Sequence, residues 1–352
     1  MAMLRLANAI NPGARFASSW GHNGSGMRRS TSLRLLPAVV LLSAAGSIAA
    51  EAEYRLKGVL HPPAKAVVTL DGFTTTFSGS ILVESNGEFE FKGLRAGTYT
   101  LILGVPNRGE IRRTVEIGPG TADSKNCVPL TLALEESLFS RGLARRQGTV
   151  SVQELAVPEK ARKAYAEAQR QLTRRNQKKA IECLETAVRL APGFSGAWNN
   201  LGTMYYKSAQ YEKAEESFRA ALAASPESFE PLVNLGGVLL TLNRPSDAYT
   251  FNLYSVLERP EDALANSQMG MNYFALGRLD LARKYLDQAR RIDPGHFSRP
   301  QLMLAEICLR KGDKRGAARE LEEYLHYHPD VPNRARIEDS IRKLKADAGE
   351  ML

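Results

Sequence analysis

The pattern of apolar and polar positions changes character twice along the chain. A short apolar run, Leu35 to Leu42, follows the basic stretch Met27-Arg28-Arg29 and precedes small residues up to Ala50. From Tyr54 to Leu134 the apolar positions then recur with a period of two, in short runs separated by turn residues. This predicts β-strands with one buried face. From residue 161 the spacing becomes helical, and the helical pattern itself repeats. Ala180, Ala214, Ala248 and Ala282 are 34 residues apart, and Ala317 follows at 35. Pro192, Pro226, Pro260, Pro294 and Pro329 keep the same register. Two residue classes in one register predict a stack of helical hairpins, each ended by a proline that cannot continue the hydrogen-bond ladder.

The first change of pattern reads as an export signal. A charged segment, an apolar segment too short to span a bilayer and a small-residue segment stand in signal-peptide order. Cleavage is expected between Ala49 and Ala52, and Met27 is the expected true start. An uncleaved leader acting as a membrane anchor is the alternative. Residues 1–52 are thus assigned to a leader, and the mature protein to the periplasm or cell envelope of a bacterium.

Residues 53–134 predict a small antiparallel β-sandwich. Strands are expected at Tyr54–Leu60, Ala66–Leu70, Ser78–Glu84, Glu88–Phe91, Thr98–Leu103, Arg112–Ile117 and Val128–Leu134. Asn86-Gly87 is a strong hairpin signal. The stretch Asn86-Gly-Glu-Phe-Glu-Phe-Lys-Gly-Leu-Arg-Ala-Gly-Thr-Tyr-Thr-Leu101 resembles the hallmark of carboxypeptidase regulatory-like domains. That resemblance covers about a quarter of the chain. It implies an accessory sandwich, not a peptidase, with carbohydrate-binding relatives. Phe89, Phe91 and Tyr99 fall on the buried face by alternation.

Residues 161–331 predict five repeats, at 161–194, 195–228, 229–262, 263–296 and 298–331. The second reads Trp198-x2-Leu201-Gly202-x2-Tyr205, then Ala214, Phe218, Ala221 and Pro226. It resembles the tetratricopeptide repeat in every signature place. The third departs from the pattern, with polar Asn252 and Ser255 where Phe and Ala are usual. Small residues such as Gly202, Gly236 and Gly270 allow close helix approach. Residues 135–160 are expected to be a linker, and 332–352 to carry an amphipathic helix that caps the open end. The fold class is therefore multidomain: a small antiparallel β-sandwich followed by an all-α solenoid.

The resemblance implies that the first helix of each repeat lines a concave groove. It places Arg162, Tyr165 and Gln169 there from the first repeat, and Asn199, Thr203 and Tyr206 from the second. The third supplies Val233, Gly237 and Leu240, and the fourth Ser267, Met271 and Phe274. This set is apolar and amide-rich with little charge, which suits an extended or helical protein segment. It lacks the paired basic residues of repeats that clamp a terminal carboxylate.

Composition changes this picture little. The formal charge of +9 includes five arginines and no acid in residues 1–50, so the remainder carries 42 basic against 38 acidic residues. The excess therefore belongs to the leader, and no nucleic-acid partner is expected. Cys127, Cys183 and Cys308 are too sparse for a disulfide framework or zinc site. His326 and His328 stand two apart, which splays them on a helix. No nucleophile elbow, P-loop or zinc-protease motif occurs, so no catalytic residue, cofactor or metal is assigned. The expected function is an exported, non-enzymatic scaffold that binds a protein or peptide. The alternative is an envelope carbohydrate-binding module acting through the sandwich on a saccharide.

Overall fold

The computed structural model describes residues 52–75, 77–106, 108–135 and 157–349. The segment expected to be a leader lies outside these residues up to residue 51, as do most of the expected linker 135–160 and the end of the chain. Among the described residues, no helix is long and apolar enough to cross a membrane.

Seven strands form the N-terminal part: β1 (Tyr54–His61), β2 (Ala66–Gly72), β3 (Ser78–Val83), β4 (Glu88–Leu94), β5 (Gly97–Val105), β6 (Gly109–Ile117) and β7 (Cys127–Ala133). They make a three-stranded sheet, β4-β1-β7, and a four-stranded sheet, β3-β2-β5-β6. Burial along β1 alternates without exception. Leu56, Leu60, Val68, Leu70, Tyr99, Leu101 and Leu103 meet between the sheets, fully buried. Phe89 and Phe91 are in that core, where alternation places them. One pairing departs from the antiparallel expectation, because β7 runs parallel to β1. β7 arrives from the other sheet through residues 118–126, so no hairpin turn imposes antiparallel order on the pair.

Eleven helices follow among the described residues: α1 (Glu159–Thr173), α2 (Gln177–Leu190), α3 (Ser195–Lys207), α4 (Tyr211–Ala224), α5 (Phe229–Thr241), α6 (Pro245–Glu258), α7 (Ala263–Ala275), α8 (Leu279–Ile292), α9 (Pro300–Arg310), α10 (Lys314–Tyr327) and α11 (Arg334–Asp347). The first ten pair as hairpins, and α11 packs its Ile337 and Ile341 against α10. The small residues act as expected. A methyl group on Gly202 would meet the Phe218 ring at 2.6 Å, and one on Gly270 would meet Leu286 at 2.6 Å.

The hairpin turns repeat with the helices. Arg175, Ala209, Asn243, Gly277 and Gly312 each take a left-handed φ, between 56° and 76°, just after the first helix of their repeat. One left-handed residue ends that helix and reverses the chain. Only the last two positions carry glycine, so the earlier repeats make the same turn at a steric cost.

Candidate functional site

The inner helices α1, α3, α5 and α7 carry the residues expected to line a groove. Along the first three repeats their polar side chains are joined from one helix to the next. Asn200 Nδ2 donates to the Tyr165 hydroxyl at 2.8 Å, and Asn234 Nδ2 donates to Asn199 Oδ1 at 3.0 Å. The Tyr206 and Thr241 hydroxyls meet at 3.1 Å. Each bond links residues 35 apart, so the repeat itself generates a ladder of amides and hydroxyls. Burial raises the Tyr165 and Tyr206 phenols above the ordinary tyrosine value. Tyr206 also packs edge-on against Tyr211, with ring centroids 5.4 Å apart.

The other expected residues divide by exposure. Arg162 and Gln169 are exposed, and Arg162 pairs with Glu159 at 3.2 Å. Asn199, Thr203, Gly237, Leu240, Met271 and Phe274 are half-buried. The Arg310 guanidinium lies 4.1 Å from the centre of the Phe274 ring. Val233 and Ser267 do not face solvent: they are 2% and 0% exposed. Val233 sits in a cluster with Phe229, Ala265 and half-buried Leu264, because α7 covers it. These two residues are therefore removed from the accessible set.

The inner face also holds something that neither the alternation nor the repeat spacing locates: the β-sandwich itself. At the first repeat, Thr173 Oγ1 donates to Ser78 O at 3.3 Å, and Arg175 Nη2 donates to Gly93 O at 2.7 Å. At the second, Lys207 Nζ donates to Gly72 O at 2.5 Å. Asp71 stands nearby, its carboxyl raised by burial although Ser78 Oγ donates to it at 2.7 Å. Burial also lowers the Lys207 amine, against the pull of Asp71.

The third repeat contributes a charge cluster. Arg112 on β6 donates to Glu230 at 2.8 Å and to Glu110 at 2.6 Å. Arg259 stands 3.6 Å from Glu230 and lies over the Phe229 ring at 4.0 Å. Burial alone would raise the Glu230 carboxyl, but Arg112 and Arg259 outweigh it and hold the group below its ordinary value. Arg112 is raised despite its burial, by Glu110, Asp262 and Glu230.

The outer edge of β6 meets the loop after α8. Arg113 Nη1 donates to Ile292 O at 2.7 Å, and Thr114 N donates to Asp293 Oδ2 at 2.9 Å. The edge strand is thereby covered, which removes a pairing hazard. Phe73 stacks on Phe297 with ring centroids 4.1 Å apart. At the fifth repeat, His328 Nδ1 meets Glu116 Oε1 at 3.1 Å, and Gly120 N donates to both Asp330 oxygens at 2.9 and 3.0 Å.

These contacts follow a course. They begin at the C-terminal ends of α1 and α3 and pass to the N-terminal end of α5. They continue at the loops that lead into α7, α9 and α11. The sandwich thus crosses the inner-helix row diagonally and touches all five repeats. The low charge expected of this face holds for its centre and fails at its edges, where Lys207, Glu230 and Arg259 stand. A partial signal was present in Arg112-Arg113, since two adjacent arginines in a strand must place one on each face. Among the described residues no cluster of His, Cys, Asp and Glu could hold a metal ion.

Comparison with known proteins agrees with the helical architecture. Two family models described as tetratricopeptide repeat match residues 165–229 and 205–254, and residues 273–339, respectively. The chain is 26% identical over 160 residues to anaphase-promoting complex subunit 3 of Schizosaccharomyces pombe, covering 45% of this chain and 24% of that protein. It is also 26% identical over 144 residues to the BBSome complex member BBS4 of Xenopus tropicalis, covering 41% and 28%. The chain therefore spans about a quarter of the length of these relatives. Among solved structures, the pilus biogenesis factor PilW is similar at 23% identity and a TM-score of 0.48, over 55% of this chain and 88% of that one. MamA of Desulfovibrio magneticus RS-1 is similar at 22% identity and a TM-score of 0.45, over 50% and 99%.

Proposed function

With the helical part established as a tetratricopeptide-repeat solenoid, we propose that the chain is an exported, non-enzymatic scaffold that binds a segment of another protein on its inner face. The observation that carries this reading is the ladder across the first three repeats. Asn199, Asn200, Asn234, Tyr165, Tyr206 and Thr241 hold one another in place before any partner arrives. Preorganised amides lower the ordering cost of binding and can meet the backbone of an extended segment. Half-buried Tyr206, Met271 and Phe274 supply apolar anchors beside them. The sandwich is proposed as a carboxypeptidase regulatory-like accessory that shapes this face. Export rests on the order of charged, apolar and small residues before residue 53.

The test is affinity cross-linking of residues 53–352 with envelope proteins of the source cell. Wild type is expected to capture one protein through a discrete segment, and a Tyr206→Ala, Phe274→Ala variant to lose it. Capture that survives the double substitution would place the site elsewhere. Capture of glycan alone would transfer the function to the sandwich.

A further inference from the structure

The seat between sandwich and solenoid is built from groups that a protein ligand would offer. Beside the Phe73–Phe297 stack, it is held by hydrogen bonds and ion pairs. Lys207 and Arg113 each donate to a backbone carbonyl, and Asp293 and Asp330 each accept from backbone N–H groups. Such contacts exchange for water at small net cost, unlike an apolar core. The turn Asp71-Gly72-Phe73 presents a carboxylate, a carbonyl and an aromatic ring within three residues. Lys207 and Phe297 receive the last two, while the Asp71 carboxyl accepts from Ser78 within the sandwich. Lys207 and Thr173 stand at the ends of the helices that carry the groove ladder. A partner segment that follows that ladder reaches the place the turn already holds.

We infer that this inner face is a docking surface for a turn that offers a backbone carbonyl followed by an aromatic ring, filled in the resting chain by its own residues Gly72 and Phe73. The sandwich is then a displaceable occupant, and a partner turn with an aromatic residue just after an exposed backbone carbonyl competes with it. The inference deepens the scaffold reading by naming the chemistry of the partner and the event that admits it. It rests on that reading for its biological meaning, but its physical content is testable without a partner.

The geometry offers a lock. A Cβ on Gly118 would lie 3.7 Å from the Asp330 Cβ, within the usual range for a disulfide. Gly118→Cys with Asp330→Cys, in an Arg112→Glu background that weakens the seat, allows one protein to be compared locked and released by oxidation and reduction. The probe is a cyclised peptide of residues 69–79, followed by fluorescence anisotropy. The reduced protein is expected to bind it at least about tenfold more tightly than the oxidised one, since the tethered turn competes at high effective concentration. Lys207→Ala in the reduced protein, or a peptide with alanine in place of Phe73, is expected to abolish binding. Equal binding by the locked and released forms would overturn the inference. So would a failure of the two cysteines to join, or disulfides that form only between two copies. If the peptide result holds while the cross-linking of envelope proteins fails, the docking surface stands and the scaffold function falls.

Discussion

His296 gives the solenoid a specific weakness to acid. It lies in the loop between α8 and α9, 5% exposed, with its ring tilted against that of Phe297 at a centroid distance of 4.2 Å. Its Nδ1 accepts the Ser298 N–H at 3.2 Å and meets the Ser298 hydroxyl at 2.6 Å. Burial first, and the charge of His328 second, lower its pKa from 6.5 to about 3. The folded ring therefore stays neutral where the unfolded ring takes a proton. Its contribution to stability is complete above the unfolded value and is lost progressively as pH falls toward 3. At 1.36 kcal/mol per unit, the loss between pH 7.5 and pH 5 amounts to about 2 kcal/mol. Asp293, raised by burial, acts in the opposite sense, because the folded form binds its proton first. Urea unfolding of wild type and His296→Gln at pH 7.5, 6 and 5 separates the two, since Asp293 is common to both. The amide still accepts the Ser298 N–H and does not titrate. Wild type is expected to lose about 2 kcal/mol more than the variant over this interval. Parallel pH profiles would show that His296 is protonated in the fold, and would refute the argument.

Three further outcomes follow from particular contacts. Asn252 is fully buried with no partner for either amide atom among the described residues, where neighbouring repeats bury Phe218 and Leu286. Asn252→Leu is expected to stabilise the protein by about 1–3 kcal/mol in denaturant unfolding, and a loss would show that the amide is satisfied. Ala209 holds φ at 56° in its hairpin turn, so Ala209→Gly is expected to gain up to about 1 kcal/mol by the same assay. An unchanged or lower midpoint would contradict the strain. Arg112→Glu sets three acids together with Glu110 and Glu230, and is expected to weaken sandwich docking by about 1–2 kcal/mol. Small-angle scattering should report a larger radius of gyration, and Glu230→Arg should restore it. An unchanged radius in the single variant would count against an ionic seat.

Much of this architecture was legible in the chain because it is local or periodic. The 34-residue register of Ala180, Ala214, Ala248 and Ala282 located the helical hairpins, and the alternation through Phe89 and Phe91 located a sandwich core. Strand order was not legible, since alternation says which face a residue takes and nothing of its neighbour strand. Hence the parallel pairing of β1 with β7 appears only in the fold. The groove was legible as a row of positions but not as a surface. Ser267 and Val233 satisfy the spacing, yet both are buried, Val233 against α7. The sandwich seat was hidden for another reason. Its contacts join residues far apart in sequence, and Arg112, Lys207 and Glu230 each look locally like a solvated charge.

The central claim, that the inner face receives a protein segment, is tested most directly by site-resolved photo-cross-linking. A benzophenone amino acid is placed in turn at Thr203, at Met271 and at Tyr254, the last being 59% exposed on the outer helix α6. The account predicts adducts to one segment of one partner from positions 203 and 271, and none from 254. Adducts to that partner from position 254 alone would place recognition on the outer face and contradict it.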